Sequence, residues 1–376
     1  MMISCKTFCT GRKGSHMSVP SIIRNESDLR DWPSRRREIL SLFEDYEYGK
    51  TPDMEFDKSG CVCLEHLELT SGQIKESYGF YFIKNKKTAN LRFDLIYRKS
   101  ERKLPTIIHV DPFGKNPALI AYMKKLNPKA QLDEMFPMYS LANKDIATIN
   151  VDVSSLAPDD PVKSNFGMLE LYPPQGSNGW CALGVWAWAM SRVVDFIYSD
   201  NRFDTSRIII AGCSRAGKTA LWAAAQDERI TGVFASVSGC CGSAMHRGKT
   251  GERIVSIIKE FPHWSCQKFK EYGEREDELP FDQHMLLALI APRPLYITSA
   301  SEDDWACPPK EFESCVRAGE IYRALGKTGL SSETFPETNS PIIDGDIAYH
   351  LRKGPHGCKA YDWENVISFM RKKLCF

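Results

Sequence analysis

Arg207-Ile208-Ile209-Ile210-Ala211-Gly212-Cys213-Ser214-Arg215-Ala216-Gly217-Lys218-Thr219 decides how this chain is read. Three successive isoleucines fit a fully buried strand, and Thr219-Ala220-Leu221-Trp222-Ala223-Ala224-Ala225 fits the helix that follows, so a turn of small residues joins strand to helix. Ser214 lies in that turn. Two chemistries use such a turn. Gly212 to Thr219 matches G-x-x-x-x-G-K-[ST], in which backbone N–H groups and a lysine cradle a nucleotide's phosphates. The same residues fit a nucleophile elbow, which lifts a serine hydroxyl above the sheet and turns the next residue's N–H toward an oxyanion. The spacing here is G-x-S-x-x-G, so the second glycine comes one residue later than in the common elbow.

The flanking sequence settles the class of fold. Thr106 to Val110, Ile146 to Val151, Arg207 to Ile210, Gly232 to Val237 and Leu295 to Thr298 are short, continuously apolar strands separated by helical patterns. Strands of that kind predict a mainly parallel, doubly wound sheet covered by helices on both faces, an α/β three-layer sandwich. Before them, Cys61 to Leu69, Tyr78 to Ile83 and Leu91 to Tyr97 alternate with a period of two, which predicts half-buried antiparallel strands at the start of the sheet. Ser34 to Tyr48 reads as a helix in an N-terminal wrapping segment broken by Pro20, Pro33 and Pro52. Trp180 to Tyr198 reads as a core helix whose aromatic side chains pack rather than bind. Lys249 to Pro280 is expected to be an insertion that walls a cleft at the carboxyl ends of the strands.

The 376 residues, 43% of them apolar, suffice for one large domain over 18–376, and no internal repeat breaks it. Gly14-Ser15-His16-Met17 reads as a vector-derived scar, so residues 1–17 are expected to be a tag or disordered. With 49 basic against 48 acidic residues there is no electrostatic case for nucleic acid or an anionic membrane, and no apolar run reaches the roughly 20 residues of a membrane helix. Thirteen scattered cysteines without C-x-x-C pairs favour reduced thiols over a disulfide framework or a zinc site, which suits the cytoplasm unless an export signal has been trimmed away. Cys213 beside Ser214 and Cys358 two residues past His356 are expected to be neighbours if a triad forms.

A phosphate-binding loop needs a later strand ending in an aspartate for Mg²⁺, and Gly232 to Gly239 carries no acid. An esterase elbow needs an acid and then a histidine in later loops. The strand Leu295 to Thr298 runs into Ser301-Glu302-Asp303-Asp304-Trp305, which offers three carboxylates. A last strand, Ile347 to Arg352, is followed by Gly354-Pro355-His356 and a closing helix from about Asp362 to Lys373. Ser214 as nucleophile, His356 as base and one of these acids would then form a triad, with the N–H and guanidinium of Arg215 at the oxyanion. Each residue also has a plainer role: His356 as a loop brace, the acids as a solvated helix start, Arg215 as an ion-pair partner and Lys218 as a surface lysine.

Gly212-Cys213-Ser214-Arg215-Ala216-Gly217-Lys218 resembles the G-C-S-R-x-G-K signature of the glucuronoyl esterases, carbohydrate esterase family 15. The likeness continues through Leu279 to His284, Ala291-Pro292-Arg293-Pro294, Asp303-Asp304-Trp305-Ala306 and Gly354-Pro355-His356, from about Phe93 to the end of the chain. The resemblance implies an α/β-hydrolase fold that hydrolyses esters of (4-O-methyl-)glucuronic acid on glucuronoxylan, including links to lignin alcohols, without cofactor or metal. It gives Ser214, His356 and Arg215 the roles above and makes Asp303 the triad acid, with Glu302 and Asp304 in reserve. Lys218, Glu252 and Trp305 are implied as sugar contacts, and Gln283, with His284, as a further contact or a brace. The glucuronate ester is the expected partner and the monomer the expected state. Some members carry the acid after the strand that follows the nucleophile's helix, but Val237 stands there in this chain. An acetyl ester of xylan is the alternative substrate.

Overall fold

The computed structural model describes residues 19–114, 135–163 and 165–376, so the expectation for residues 1–17 lies outside them. Its described strands are β1 (Lys58–Glu68), β2 (Gln73–Lys84), β3 (Lys87–Arg98), β4 (Leu104–Asp111), β5 (Ala147–Asp152), β6 (Phe203–Cys213), β7 (Gly232–Ser236), β8 (Leu295–Ala300) and β9 (Ile347–Arg352). They form one sheet in the order β1-β2-β3-β5-β4-β6-β7-β8-β9. Pairing is antiparallel from β1 to β5 and parallel from β5 to β9. The longer helices are α1 (Trp32–Tyr46), α2 (Ala182–Ser199), α3 (Arg215–Gln226), α4 (Pro308–Ala324) and α5 (Ala360–Leu374). Among the described residues no helix is long and apolar enough to cross a membrane.

The isoleucine run shows why such strands read as continuous hydrophobic stretches. Ile208 and Ile210 join the core that holds α2, α3 and Trp222, while Ile209 and Ala211 join a second core with Phe234, Tyr296, Trp363 and Phe369. Alternate side chains point to opposite faces, and both faces are covered. The tryptophans of α2, Trp186 and Trp188, and the preceding Trp180 are packed in the first core as expected. The N-terminal segment is tied to that core by α1: Phe43 lies 4.4 Å from Phe281, and Tyr48 just beyond the helix stacks 4.5 Å from Trp222.

Two expectations need correction. The alternation in Cys61 to Leu69 does not mark a half-buried strand, because nearly every residue of β1 is exposed. Among the described strands it forms the sheet edge and pairs only with β2. Residues of both faces are exposed along its length, on either side of an irregularity between Cys63 and Glu65, so Val62, Leu64 and Leu67 face solvent because neither face is covered. Helix α3 starts at Arg215, four residues earlier than the apolar pattern suggests, because the carbonyl of Ser214 already accepts the N–H groups of Gly217 and Lys218 at 2.8 and 3.1 Å.

Candidate active site

β4 is laid down between β5 and β6, so the winding direction of the parallel sheet reverses beside β6. Ligands of open α/β sheets bind at the carboxyl ends of the strands near such a reversal, and β6 ends there on Cys213. Ser214 follows with φ 59° and ψ −125°, a conformation that costs an L-residue roughly 1–3 kcal/mol and persists only where the surroundings hold it. The hold is visible: the Ser214 N–H donates to the carbonyl of Ser236 at the end of β7, at 2.8 Å. A Cβ on Gly212 would lie 2.2 Å from the carbonyl oxygen of Ala216, so the close approach in this elbow is between positions 212 and 216. The later glycine has another task, since a Cβ on Gly217 would lie 2.9 Å from the side chain of Ser238. The unusual spacing is thereby explained.

The loop after β8 delivers Asp303. Its carboxylate is buried; Oδ1 accepts the N–H of Ala306 at 3.2 Å, and Oδ2 lies 2.6 Å from Nδ1 of His356. Glu302 and Asp304 are exposed on either side of it. Val237 reaches the same cavity from the end of β7 but carries no acid. His356 itself is part-exposed, and the loop that carries it is gripped by Arg352 on β9. That guanidinium donates to the carbonyls of Lys353, Pro355 and Gly357 at 3.0, 2.8 and 2.7 Å and to buried Asp362 at 2.9 Å.

Ser214, Asp303 and His356 line one cavity of about 460 Å³ together with Arg215, Glu252 and Trp305. The segment read as an insertion supplies Glu252, Glu260, Phe261 and Trp264 to its wall, with Phe261 and Trp264 stacked 3.9 Å apart. Arg215 lies with its guanidinium 4.7 Å from the Trp264 ring and 4.9 Å from Phe261, and it donates to Asp159. Trp305 remains 44% exposed at the rim.

Lys218 and Gln283 lie outside the residues that line this cavity. Lys218 is only 1% exposed, and its ammonium donates to the carbonyls of Ser238 and Cys240 and to Glu252 Oε2, the last at 2.9 Å. All three of its donors are taken, so it stands behind Glu252 instead of lining the cavity, and it is unavailable to phosphate. Gln283 is fully buried away from the cavity, donating to Glu47 at 2.8 Å beside His246. His284 meets the carbonyl of Pro20, 2.9 Å from its Nε2.

Cys213 and Cys358 both line the cavity, and both are free thiols. Burial pushes Cys213 up to about 12 and Cys358 well above the ordinary thiol range, the latter with help from Asp362 and Cys213. Neither is poised as a nucleophile.

Two site residues escaped the sequence reading. Asp159 belongs to Pro158-Asp159-Asp160, which reads as an ordinary turn, and Arg352 grips backbone carbonyls, which leave no trace in composition.

Residues 85–326 match the family model described as glucuronyl esterase, fungi. Carbohydrate esterase MZ0003 of an unknown prokaryotic organism is 33% identical over 91% of this chain and 85% of its own length. The 4-O-methyl-glucuronoyl methylesterase of Schizophyllum commune is 28% identical over 86% of this chain and 77% of its own length. Among solved structures, the glucuronoyl esterase from Solibacter usitatus superposes with a TM-score of 0.83 at 28% identity, covering 95% of this chain and 98% of the other. With its elbow, its loop histidine and its matched length, the chain belongs to the glucuronyl esterase family, on the α/β-hydrolase fold.

Proposed function

We propose that this protein is a serine esterase that hydrolyses esters of (4-O-methyl-)glucuronic acid, with Ser214, His356 and Asp303 as its triad. The observation that carries the reading is the 2.6 Å contact from His356 Nδ1 to buried Asp303, made at the rim of the cavity into which the Ser214 elbow opens. A carboxylate on Nδ1 fixes the tautomer that leaves Nε2 free to take the serine proton.

The Ser214 hydroxyl attacks the ester carbonyl as His356 Nε2 removes its proton. The negative charge gathers on the carbonyl oxygen, for which Arg215 offers two donors. Its backbone N–H opens α3 and so has no acceptor within the helix, and its guanidinium is fixed nearby. One oxyanion donor is worth about 3 kcal/mol of barrier. Collapse of the tetrahedral species breaks the bond to the alcohol, which leaves with the proton from His356. Water, deprotonated by the same imidazole, then attacks the acyl-serine and releases the uronate. Glu252, steadied from behind by Lys218, and Trp305 at the rim offer an acceptor and a donor for sugar hydroxyls. Phe261, half-buried and backed by Trp264, gives the cavity an apolar wall beside these polar groups.

The test is hydrolysis of methyl 4-O-methyl-glucuronate beside a sugar acetyl ester, with wild type and Ser214→Ala in parallel. Preference for the uronate ester, reduced by about 10⁶-fold on loss of the nucleophile, is the expected result. Preference for acetyl would transfer the same triad to a different substrate, and a Ser214→Ala protein as active as wild type would overturn the mechanism.

A further inference from the structure

Arg215 and Lys218 stand one turn apart on α3, and each meets a buried carboxylate from a distant segment. Lys218 pairs with Glu252, as described. Arg215 pairs with Asp159, whose side chain is 2% exposed. Oδ2 of Asp159 accepts from Arg215 Nη1, while Oδ1 accepts from Trp264 Nε1 at 2.7 Å and faces His263 Nε2 at 2.9 Å. Burial opposes the charge on Asp159, but His263, Arg215 and Trp264 together hold its carboxyl below the usual range, so it is ionised at neutral pH. Among the described residues, Arg215 Nε is buried with no partner of its own. The guanidinium plane is thus pinned by one carboxylate and by aromatic faces, while a donor is left unspent.

A neutral ester enters this cavity and an anionic uronate leaves it. Two uncompensated cations would hold the product more tightly than the substrate and slow every turnover at release. We propose that Asp159 is a positioning residue that pins the Arg215 guanidinium at the oxyanion site and balances its charge, so that the cavity discriminates against the uronate product. The proposal rests on the uronate-ester reading above. A carboxylate serving only to tie the loop after β5 to α3 would affect stability and turnover, but not the relative binding of ester and acid.

The experiment measures kcat and KM for the methyl ester of glucuronic acid and the competitive inhibition constant of free glucuronate. In wild type the inhibition constant should exceed KM by about tenfold or more. Asp159→Asn keeps the shape and removes the charge. It should lower kcat about tenfold to a hundredfold and tighten glucuronate inhibition about tenfold, with KM nearly unchanged. Asp159→Glu should restore the discrimination against the acid. An unchanged ratio of inhibition constant to KM in Asp159→Asn would overturn the proposal. So would a wild-type enzyme that binds acid and ester equally, a result that needs no variant to fold. A wild type inactive on every uronate ester would instead remove the substrate reading itself.

Discussion

The turn after β6 and the loop after β9 bring Ser214 and His356 to one cavity by opposite means. The serine turn is held by backbone contacts: the Ser214 N–H donates to the Ser236 carbonyl on neighbouring β7, its own carbonyl caps α3, and Gly212 admits the carbonyl of Ala216. The histidine loop borrows its shape from a side chain. Arg352 draws three carbonyls of Lys353 to Gly357 around its guanidinium and is itself anchored on Asp362, which also faces His350 Nε2 at 2.7 Å. A geometry written in small residues at fixed spacing is rigid and local. One written in a buried ion pair depends on charge held at a distance, and the two should fail differently.

The largest effect short of losing the nucleophile belongs to the residue that orients the base. Asp303→Asn leaves the loop after β8 its N–H contacts but presents an amide to His356 Nδ1, favouring the wrong imidazole tautomer. We expect kcat to fall by about 10⁴-fold with little change in melting temperature. Glu302→Gln and Asp304→Asn, exposed and outside this contact, should stay within about threefold of wild type, since surface changes shift energies by roughly 0.5 kcal/mol or less. A reversed ranking in steady-state rates would move the acid to a neighbour and remove Asp303 from the triad.

The same contrast explains what could be read without coordinates. The elbow was legible because its determinants are local: an apolar strand, a glycine two residues before the serine, and an alanine-rich helix. The parallel strands were legible because burial on both faces leaves runs such as Ile208-Ile209-Ile210. The exposure of β1 was not, since alternation in Cys61 to Leu69 records only strand geometry and says nothing of whether a helix covers it. The surroundings of Lys218 were hidden for a related reason. A lysine one turn into a helix beside a nucleophile looks available, and only the fold brings the carbonyls of Ser238 and Cys240 and the carboxylate of Glu252 to consume its three donors.

Arg352→Gln tests the histidine loop. The variant strands Asp362 in the core with one charged partner fewer and releases the carbonyls of Lys353, Pro355 and Gly357. Breaking a buried pair of this kind costs about 3–5 kcal/mol, so the melting temperature should drop well below that of wild type. Below that melting point kcat should fall while KM for the ester holds, because the loop positions the base and touches no sugar. Arg352→Lys keeps the charge but cannot reach three carbonyls with the planar fork, and it should recover stability more than rate. Equal recovery of both would mean that charge alone sets the loop.

Gly212→Ala tests the serine turn by adding one carbon. Its Cβ would fall 2.2 Å from the oxygen and 2.3 Å from the carbon of the Ala216 carbonyl, atoms of the backbone that cannot swing aside. Overpacking at a tight site costs about 1–3 kcal/mol, somewhat less than the broken ion pair, yet here the relief must come from moving the first turn of α3. That turn carries the Arg215 N–H, so the oxyanion donor moves with it. Gly217→Ala faces the side chain of Ser238 at 2.9 Å and the Gly212 carbonyl at 3.1 Å, a softer clash farther from the hydroxyl. We therefore expect Gly212→Ala to lose activity out of proportion to stability, and Gly217→Ala to lose stability with activity largely retained. If thermal melting and kcat fell in parallel for both, the elbow would be held by the sheet as a whole, and the distinction between a locally written serine turn and a remotely held histidine loop would collapse.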